Sequence, residues 1–421
     1  MKTLIKNVNV FDGKHAELTK NARIIITDNL VTQITTECSG EDGFDRVIDG
    51  GGRTAMPGLT DAHVHIGRVF TPDATNDYAV ALWVPMCQRL LEHGITTVRD
   101  AGGICGGIKR AIDNGSIPGP RIYPSQAYLS QTCGHGDTVE AHALRDIQYR
   151  IDTGCYLVDG RDEVLRAVRE CLYHGASQIK LMAGGGLSSE FDPLATQQFT
   201  EDEMRAAVEA ASDYGTYVMA HLYTTGCIQR AVRAGIKSLE HAHVINDESA
   251  RMIADNGVFV MNGPQFTMKE MEWNHMGKWT DYPASRLKPR RPKGGKSDMF
   301  SKIPETTENI LKYNLKLIFG TDMMVNYPEY QPRANLDLTV FKQRFGSFQG
   351  LLAATGNIHD LLQLTTYQNP YPEGHIGILT QGSYADILLV DGNPVEDLDI
   401  LGNVDNIRMV MKDGNIYEST L

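Results

Sequence analysis

Residues 58–67 read GLTDAHVHIG, from Gly58 through Thr60, Asp61, His63, Val64 and His65 to Gly67. The run predicts a strand over Thr60–His65 that closes on an H-x-H pair. Residues i and i+2 of a strand face the same side, so the imidazoles of His63 and His65 can meet one ion.

Further strands are predicted downstream at Thr96–Asp100, Ile122–Leu129, Gln178–Met182, Tyr217–His221, Ser238–His241, Val258–Met261 and Leu315–Thr321. Amphipathic stretches alternate with them, including Arg161–His174, Glu201–Tyr214 and Glu248–Asp255. Their apolar residues recur at three and four, and Gly175, Gly215 and Gly257 follow as stops. This alternation predicts an α/β protein, a (β/α)8 TIM barrel with its chemistry at the C-terminal ends of the strands. A doubly wound sheet would need a phosphate-binding glycine fingerprint after an early strand, which Gly102-Gly103 after Asp100 does not supply.

Both ends of the chain have a different texture. Leu4–Val10, Ala22–Thr27 and Leu30–Thr35 predict short strands, as do Ala385–Val390 and Ile407–Lys412, with a hairpin at Asp413-Gly414. The expectation is a small β-sandwich domain built from residues 1–56 and 371–421, with the barrel at 57–370 inserted.

The composition narrows the function. Among 421 residues, 40 Lys and Arg stand against 52 Asp and Glu, a net charge of −12 that argues against a nucleic-acid partner. Hydrophobic residues at 42% and charged residues at 22% indicate a globular chain with a large core. No apolar run is long enough for a transmembrane helix, so no membrane partner is expected. The start, MKTLIKNVNVFDG, lacks the apolar block of a secretory signal. The seven cysteines form no C-x-x-C pair, which predicts a cytoplasmic protein without thiolate zinc sites. Arg286–Lys296 carries six basic residues and reads as a solvated excursion, or else as a flap that meets anionic substrates.

Polar residues collect at the predicted strand ends. His221 ends the fifth strand, His241 the sixth, and Asp322 follows the eighth. Together with His63 and His65 they make an imidazole and carboxylate set suited to zinc and its neighbours. Lys180 closes the fourth strand at the same rim, where it can be an ion-pair partner. It can also lose its charge to burial and take up carbon dioxide as a carbamate. The Gly184-Gly185-Gly186 run after it can cradle phosphate or let the backbone approach a substrate closely. Asp100 reads as a structural hydrogen-bond partner, and His142 as a surface residue.

H-x-H, Lys180, His221, His241 and Asp322, in that order, resemble the amidohydrolase superfamily. So do Asn7–Gly13, Met56-Pro57-Gly58 and Tyr384–Ile387, and the resemblance spans the chain. Thr97–Asp100 and Gly134-His135-Gly136-Asp137 resemble the group of imidazolonepropionase-like hydrolases and Xaa-Pro dipeptidases (prolidases), which also holds ochratoxin and aryl-amide hydrolases. The resemblance implies two divalent metal ions, taken as zinc. His63, His65 and Asp322 would hold the more buried one and His221 and His241 the other, with carboxylated Lys180 and a hydroxide between them. His243 is then structural or supporting.

The same resemblance implies hydrolysis of an amide or peptide C–N bond in a small substrate: an Xaa-Pro-like dipeptide, an N-acyl amino acid or an ochratoxin-like amide. Asp322 would serve as ligand and general base, His135 would stabilise the oxyanion, and Tyr223 would meet a substrate carboxylate. A homo-oligomer, up to an octamer, is expected from relatives. The alternatives are a mononuclear imidazolone hydrolase or deaminase, against which Lys180 argues, and a non-catalytic barrel relative, against which the full ligand set argues.

Overall fold

A computed structural model describes residues 1–37, 40–69, 76–103, 105–137, 154–186, 192–263, 301–325 and 334–421. His142 and the basic stretch 286–296 lie outside the described residues. The chain opens with β1 (Lys2–Val10), β2 (Thr19–Thr27), β3 (Leu30–Thr35), β4 (Arg46–Asp49) and β5 (Thr54–Pro57). It then enters β6 (Leu59–Val69), α1 (Asn76–Glu92), β7 (Ile95–Asp100), α2 (Gly106–Asp113), β8 (Arg121–Tyr123), β9 (Tyr128–Ser130) and β10 (Cys155–Leu157). Next come α3 (Arg161–Tyr173), β11 (Ile179–Met182), α4 (Glu201–Asp213), β12 (Val218–Leu222), α5 (Thr225–Ala234), β13 (Ser238–His241), α6 (Asp247–Asp255) and β14 (Phe259–Met261). After these follow α7 (Ile303–Lys312), β15 (Lys316–Ile318), β16 (Met323–Val325), α8 (Ala334–Phe345), α9 (Ser347–Ala353) and α10 (Gly356–Leu362). The chain closes with β17 (Ile387–Val390), β18 (Ile407–Lys412) and β19 (Asn415–Ser419).

The central strands pair in parallel, in two ladders ordered β16-β6-β7-β8 and β10-β9-β11-β12-β13-β14-β15. Single backbone bonds join them beyond β15, from Ala62 N to Phe319 O at 2.9 Å and from Asp322 N to His63 O at 2.7 Å. The strand expected over Ile122–Leu129 is broken into β8 and β9. Pro124 between them has no N–H to donate to a ladder, and Gln126 turns the backbone to φ 59°. The last barrel strand is also shorter than Leu315–Thr321, because the chain bends at Asp322 before β16 returns to pair with β6.

The helices bury the face their spacing predicts. In α3 the inward residues are Val164, Ala167, Val168, Cys171 and Leu172. The start of α4 is fixed by a capping box in which Thr200 Oγ1 accepts from Glu203 N and the Glu203 carboxylate accepts from Thr200 N. Gly175, Gly215 and Gly257, just beyond α3, α4 and α6, take up left-handed φ.

The first and last strands form one sheet in the order β19-β18-β17-β5-β1-β2-β3, with β4 against β1. Its seam is the antiparallel pairing of Thr54–Pro57 with Ile387–Val390. Ile5, Val8, Ile24, Leu389, Met409 and Met411 share its apolar core. Asp413 and Gly414 both have positive φ, the geometry of a tight two-residue turn between β18 and β19. Among the described residues no helix is long and apolar enough to cross a membrane.

Candidate active site

The parallel register sets the C-terminal ends of the strands side by side, with Met182 opposite His221 and Leu222 opposite His241. His63, His65, Lys180, His221, His241 and Asp322 therefore meet at one rim, and all except Asp322 are almost wholly shielded from solvent. One ring nitrogen of His63, one of His241 and a carboxylate oxygen of Asp322 lie within 4.8 Å of one another. His65 Nε2 is 3.0 Å from Asp322 Oδ1, and His63 Nε2 is 3.4 Å from the same oxygen. The His221 ring is 4.7 Å from that of His241.

Hydrogen bonds behind the rings orient them. His63 Nδ1 is 2.7 Å from Glu240 Oε2, and His65 Nδ1 is 2.7 Å from the carbonyl of Gly102. Each acceptor holds the Nδ1 side of its ring and turns Nε2 toward the cluster. Lys180 Nζ is 3.3 Å from His63 Nε2, its one hydrogen-bond partner among the described residues. Burial pushes the Lys180 amine down to about 8, against the pull of the Glu240 and Asp322 carboxylates. Burial also holds His63 and His221 well below the usual histidine range and takes His241 to about 4. Burial works to raise Asp322, but the hydrogen bond with His65 and the electrostatic influence of His63 and His241 outweigh it and keep the carboxyl well below its ordinary value. Neutral imidazoles, an ionised carboxylate and a lysine with a lowered pKa are the donor chemistry a divalent ion needs.

Two of these residues hold a left-handed backbone, His241 at φ 73° and Asp322 at φ 55°, with Ala242 at 40° beside the first. Such conformations cost about 1–3 kcal/mol each and persist where the surroundings over-determine them.

His135 reaches the cluster from the loop after β9 and stacks on His221, centroids 4.1 Å apart and planes 9° from parallel. Its Nδ1 is 3.0 Å from Asp192 Oδ2. The buried amide of Gln198 accepts from His135 N at 2.8 Å and donates to the same Asp192 oxygen at 3.3 Å. The glycine run beside Lys180 makes room for this arrangement. A Cβ on Gly186 would lie 1.8 Å from the His135 ring, and one on Gly185 would lie 2.0 Å from the carbonyl of Pro193. These glycines thus accommodate the protein's own histidine and loop. Tyr223 is buried against His241, rings stacked 5.1 Å apart. His243 is buried behind both, its ring 6.3 Å from that of His241.

Behind the cluster lies a charged network in which the sequence reading anticipated Asp100 as a hydrogen-bond partner but not Arg99, Glu240 or Asp61. Arg99 donates to both Glu240 oxygens at 2.9 and 3.0 Å, to Ser238 Oγ at 3.0 Å and to the carbonyl of Ala62 at 2.7 Å. Asp61 accepts from the backbone of His63 and Thr321, both at 3.1 Å, and from the Thr321 hydroxyl at 2.6 Å, tying β6 to the Asp322 turn. Asp100 accepts from Ile66 N, Gly102 N and Ser125 Oγ. Ser238 and Glu240, two apart on β13, share one strand face, and that alternation was the available signal for part of the network.

The sequence pattern of the amidohydrolase family matches residues 54–417. The chain belongs to the amidohydrolase family. As an amidohydrolase it is a hydrolase acting on C–N bonds of the amide or peptide type. A crystal structure of another amidohydrolase superposes with a TM-score of 0.88 at 32% identity, covering 100% of both chains. That of a prolidase complexed with N-methylphosphonate-L-proline superposes at 0.87 with 29% identity, again over 100% of both. Ochratoxinase of Aspergillus niger is 27% identical over 434 residues, 95% of this chain and 83% of that protein. These similarities place the amidohydrolase barrel in the branch of prolidases and ochratoxinase.

Proposed function

We propose that this amidohydrolase is binuclear and hydrolyses the C–N bond of a small amide whose acyl or amino part carries a carboxylate. Xaa-Pro-like dipeptides, N-acyl amino acids and ochratoxin-like amides are the substrate classes. The observation that carries the reading is Lys180: a buried amine beside His63 Nε2, with no carboxylate paired to it among the described residues. The donor set suits two zinc ions: His63, His65 and Asp322 would hold one, and His221 and His241 would hold the other. Lys180 would add a carboxylate-like ligand as a carbamate, formed when the Nζ lone pair bonds the carbon of CO2 and one proton leaves to solvent.

When bound, the ions lower the pKa of water to about 7 and polarise a carbonyl. The chain's own groups do the rest. Asp322, ionised, takes the proton of the attacking water and returns it to the leaving nitrogen as the C–N bond breaks. His135, clamped by Asp192 and Gln198, stands over His221 to stabilise charge on the carbonyl oxygen. The Tyr223 hydroxyl meets the substrate carboxylate. The organisation that frames this site is a closed (β/α)8 barrel at 57–370 and a β-sandwich domain from 1–56 and 371–421. A homo-oligomeric state goes with it, checked by light scattering.

The test pairs metal analysis with a hydrolysis screen of Xaa-Pro dipeptides, N-acyl amino acids, ochratoxin-like amides and aryl ureas. Two metals per chain and cleavage in that panel are expected, with both lost in Lys180→Ala. A metal-replete, fully active Lys180→Ala sinks the reading, and one tightly held ion per chain favours a mononuclear imidazolone hydrolase or deaminase.

A further inference from the structure

His241 differs from the other histidines of the cluster in how it is aimed. The rings of His63 and His65 are fixed by hydrogen bonds at Nδ1, whereas His241 Nδ1 is buried with no hydrogen-bond partner. Its direction must come from its stacking on Tyr223 and from its backbone, which holds the left-handed bend at φ 73° with Ala242 at 40°. Something must hold that bend.

Among the described residues one side chain hydrogen-bonds to its carbonyls. Asn262, just past β14 and 1% exposed, donates through Nδ2 to the carbonyl of His241 at 2.7 Å and to that of Ala242 at 3.0 Å. Both amide hydrogens are thereby committed, and Oδ1 must accept. The acceptor is met by Nη2 of Arg344, at the end of α8, whose Nη1 also reaches the Asn262 carbonyl at 3.4 Å. Arg344 is tied in turn to Thr307 Oγ1 on α7, at 3.2 Å from Nε and 2.9 Å from Nη2. The residues just downstream have separate supports. Thr306 Oγ1 donates to the carbonyl of His243 at 2.8 Å and accepts from Ile245 N at 3.0 Å, and Asn309 donates to the carbonyl of Ile245 at 2.9 Å. Asn262 and Arg344 therefore act on the bend itself.

Arg344 is an unusual choice for a purely structural strut. Among the described residues it pairs with no carboxylate, and burial pushes its guanidinium down to about 10. A buried cation with only neutral partners is costly, so an apolar side chain would serve packing better. Its fork of donors is what a neutral amide oxygen and a hydroxyl can use together.

We infer that Asn262 and Arg344 are positioning residues for His241: Asn262 clamps the strained turn that presents the imidazole, and Arg344 locks the Asn262 amide in the one orientation that can do so. This rests on the metal-ligand role proposed for His241.

The test compares Asn262→Ala, Arg344→Met, Arg344→Lys and His241→Ala in the full-length protein loaded with zinc. Metal content is followed during dialysis against a chelator, alongside kcat, KM and Tm. Loss of an outer hydrogen-bond partner typically costs 10–100-fold in metal affinity or activity. Asn262→Ala and Arg344→Met are expected to lose one of two zinc ions about tenfold faster than wild type, with kcat lowered by a similar factor and KM little changed. Arg344→Lys, which keeps a donor for Asn262 Oδ1, is expected to recover most of both. Wild-type zinc retention in Asn262→Ala and Arg344→Met, when His241→Ala loses a zinc, overturns this inference alone. If His241→Ala itself keeps both ions, the ligand assignment fails. Should Asn262→Ala not fold, the Met and Lys variants at 344 decide between the outcomes: equal loss in both counts against the inference.

Discussion

His63 Nδ1 lies 2.7 Å from Glu240 Oε2, and both side chains are entirely buried. The same carboxylate takes two hydrogen bonds from Arg99 and one from Ser238, so one acidic group fixes a candidate metal ligand and neutralises a buried cation. Breaking a buried pair from one side leaves an uncompensated charge and costs about 3–5 kcal/mol. Glu240→Gln is therefore expected to lower Tm by several degrees and to weaken metal retention about tenfold or more. Adding Arg99→Met removes the orphaned cation and should restore much of the Tm without restoring metal retention. Calorimetry and metal analysis of the single and double variants check this, and parallel recovery of both quantities would argue against an orienting role for Glu240.

Gly186 offers a sharper probe of His135. The glycine is not in a left-handed conformation, and the atoms nearest an added Cβ belong to the His135 imidazole, 1.8 Å away. Gly186→Ala is expected to displace His135 from its stack on His221, lowering kcat about 10²-fold. Tm and metal content should stay near wild type. Steady-state kinetics beside His135→Ala checks it: the two variants should match, and an unimpaired Gly186→Ala would mean that His135 contributes nothing from its present position.

Much of the site was legible because its residues sit at strand ends, where one local pattern repeats. His63-x-His65, Lys180, His221, His241 and Asp322 each follow an apolar run, and parallel pairing brings such positions to one rim. What orients them was not legible, because each supporting contact joins residues far apart in the chain. Glu240 lies 177 residues from His63, and Asp192 lies 57 from His135. No spacing rule says which buried carboxylate will face which ring. The glycine run was visible but ambiguous, since glycine records that a Cβ is forbidden and not what occupies the space. The break between β8 and β9 could have been read from Pro124, but the apolar residues on both sides hid it.

Arg121 links the barrel to the sheet made by the chain ends. From the start of β8 its guanidinium reaches Asp386 at 3.1 and 3.2 Å, bonds Asp413, and lies 3.8 Å over the Tyr384 ring. Arg121→Ala takes the guanidinium from buried Asp386, while Asp413 keeps Lys412 at 3.0 Å, and a loss of about 3 kcal/mol is expected. Urea unfolding should show a lower midpoint, with Arg121→Lys in between because it keeps the charge but not the fork. A midpoint equal to wild type would mean that the two units are held together by their apolar contacts.

Asp100 gives a pH dependence with a definite sign. Burial pushes its carboxyl up from 3.8 to about 7, although backbone N–H groups of Gly102 and Ile66 and the Ser125 hydroxyl favour the charged form. The folded protein therefore binds a proton between about pH 4 and pH 7 where the unfolded chain does not. Stability must fall as pH rises through that window, by up to about 1.4 kcal/mol per unit, and level off above it. Asp100→Asn cannot titrate. It loses one acceptor, most directly for Gly102 N, and this cost is the same at every pH. The wild type should hence be the more stable of the two at pH 5, with the gap in Tm narrowing or reversing by pH 8. Calorimetric scans of both proteins across that range check it, and a constant gap would place the Asp100 pKa outside the window.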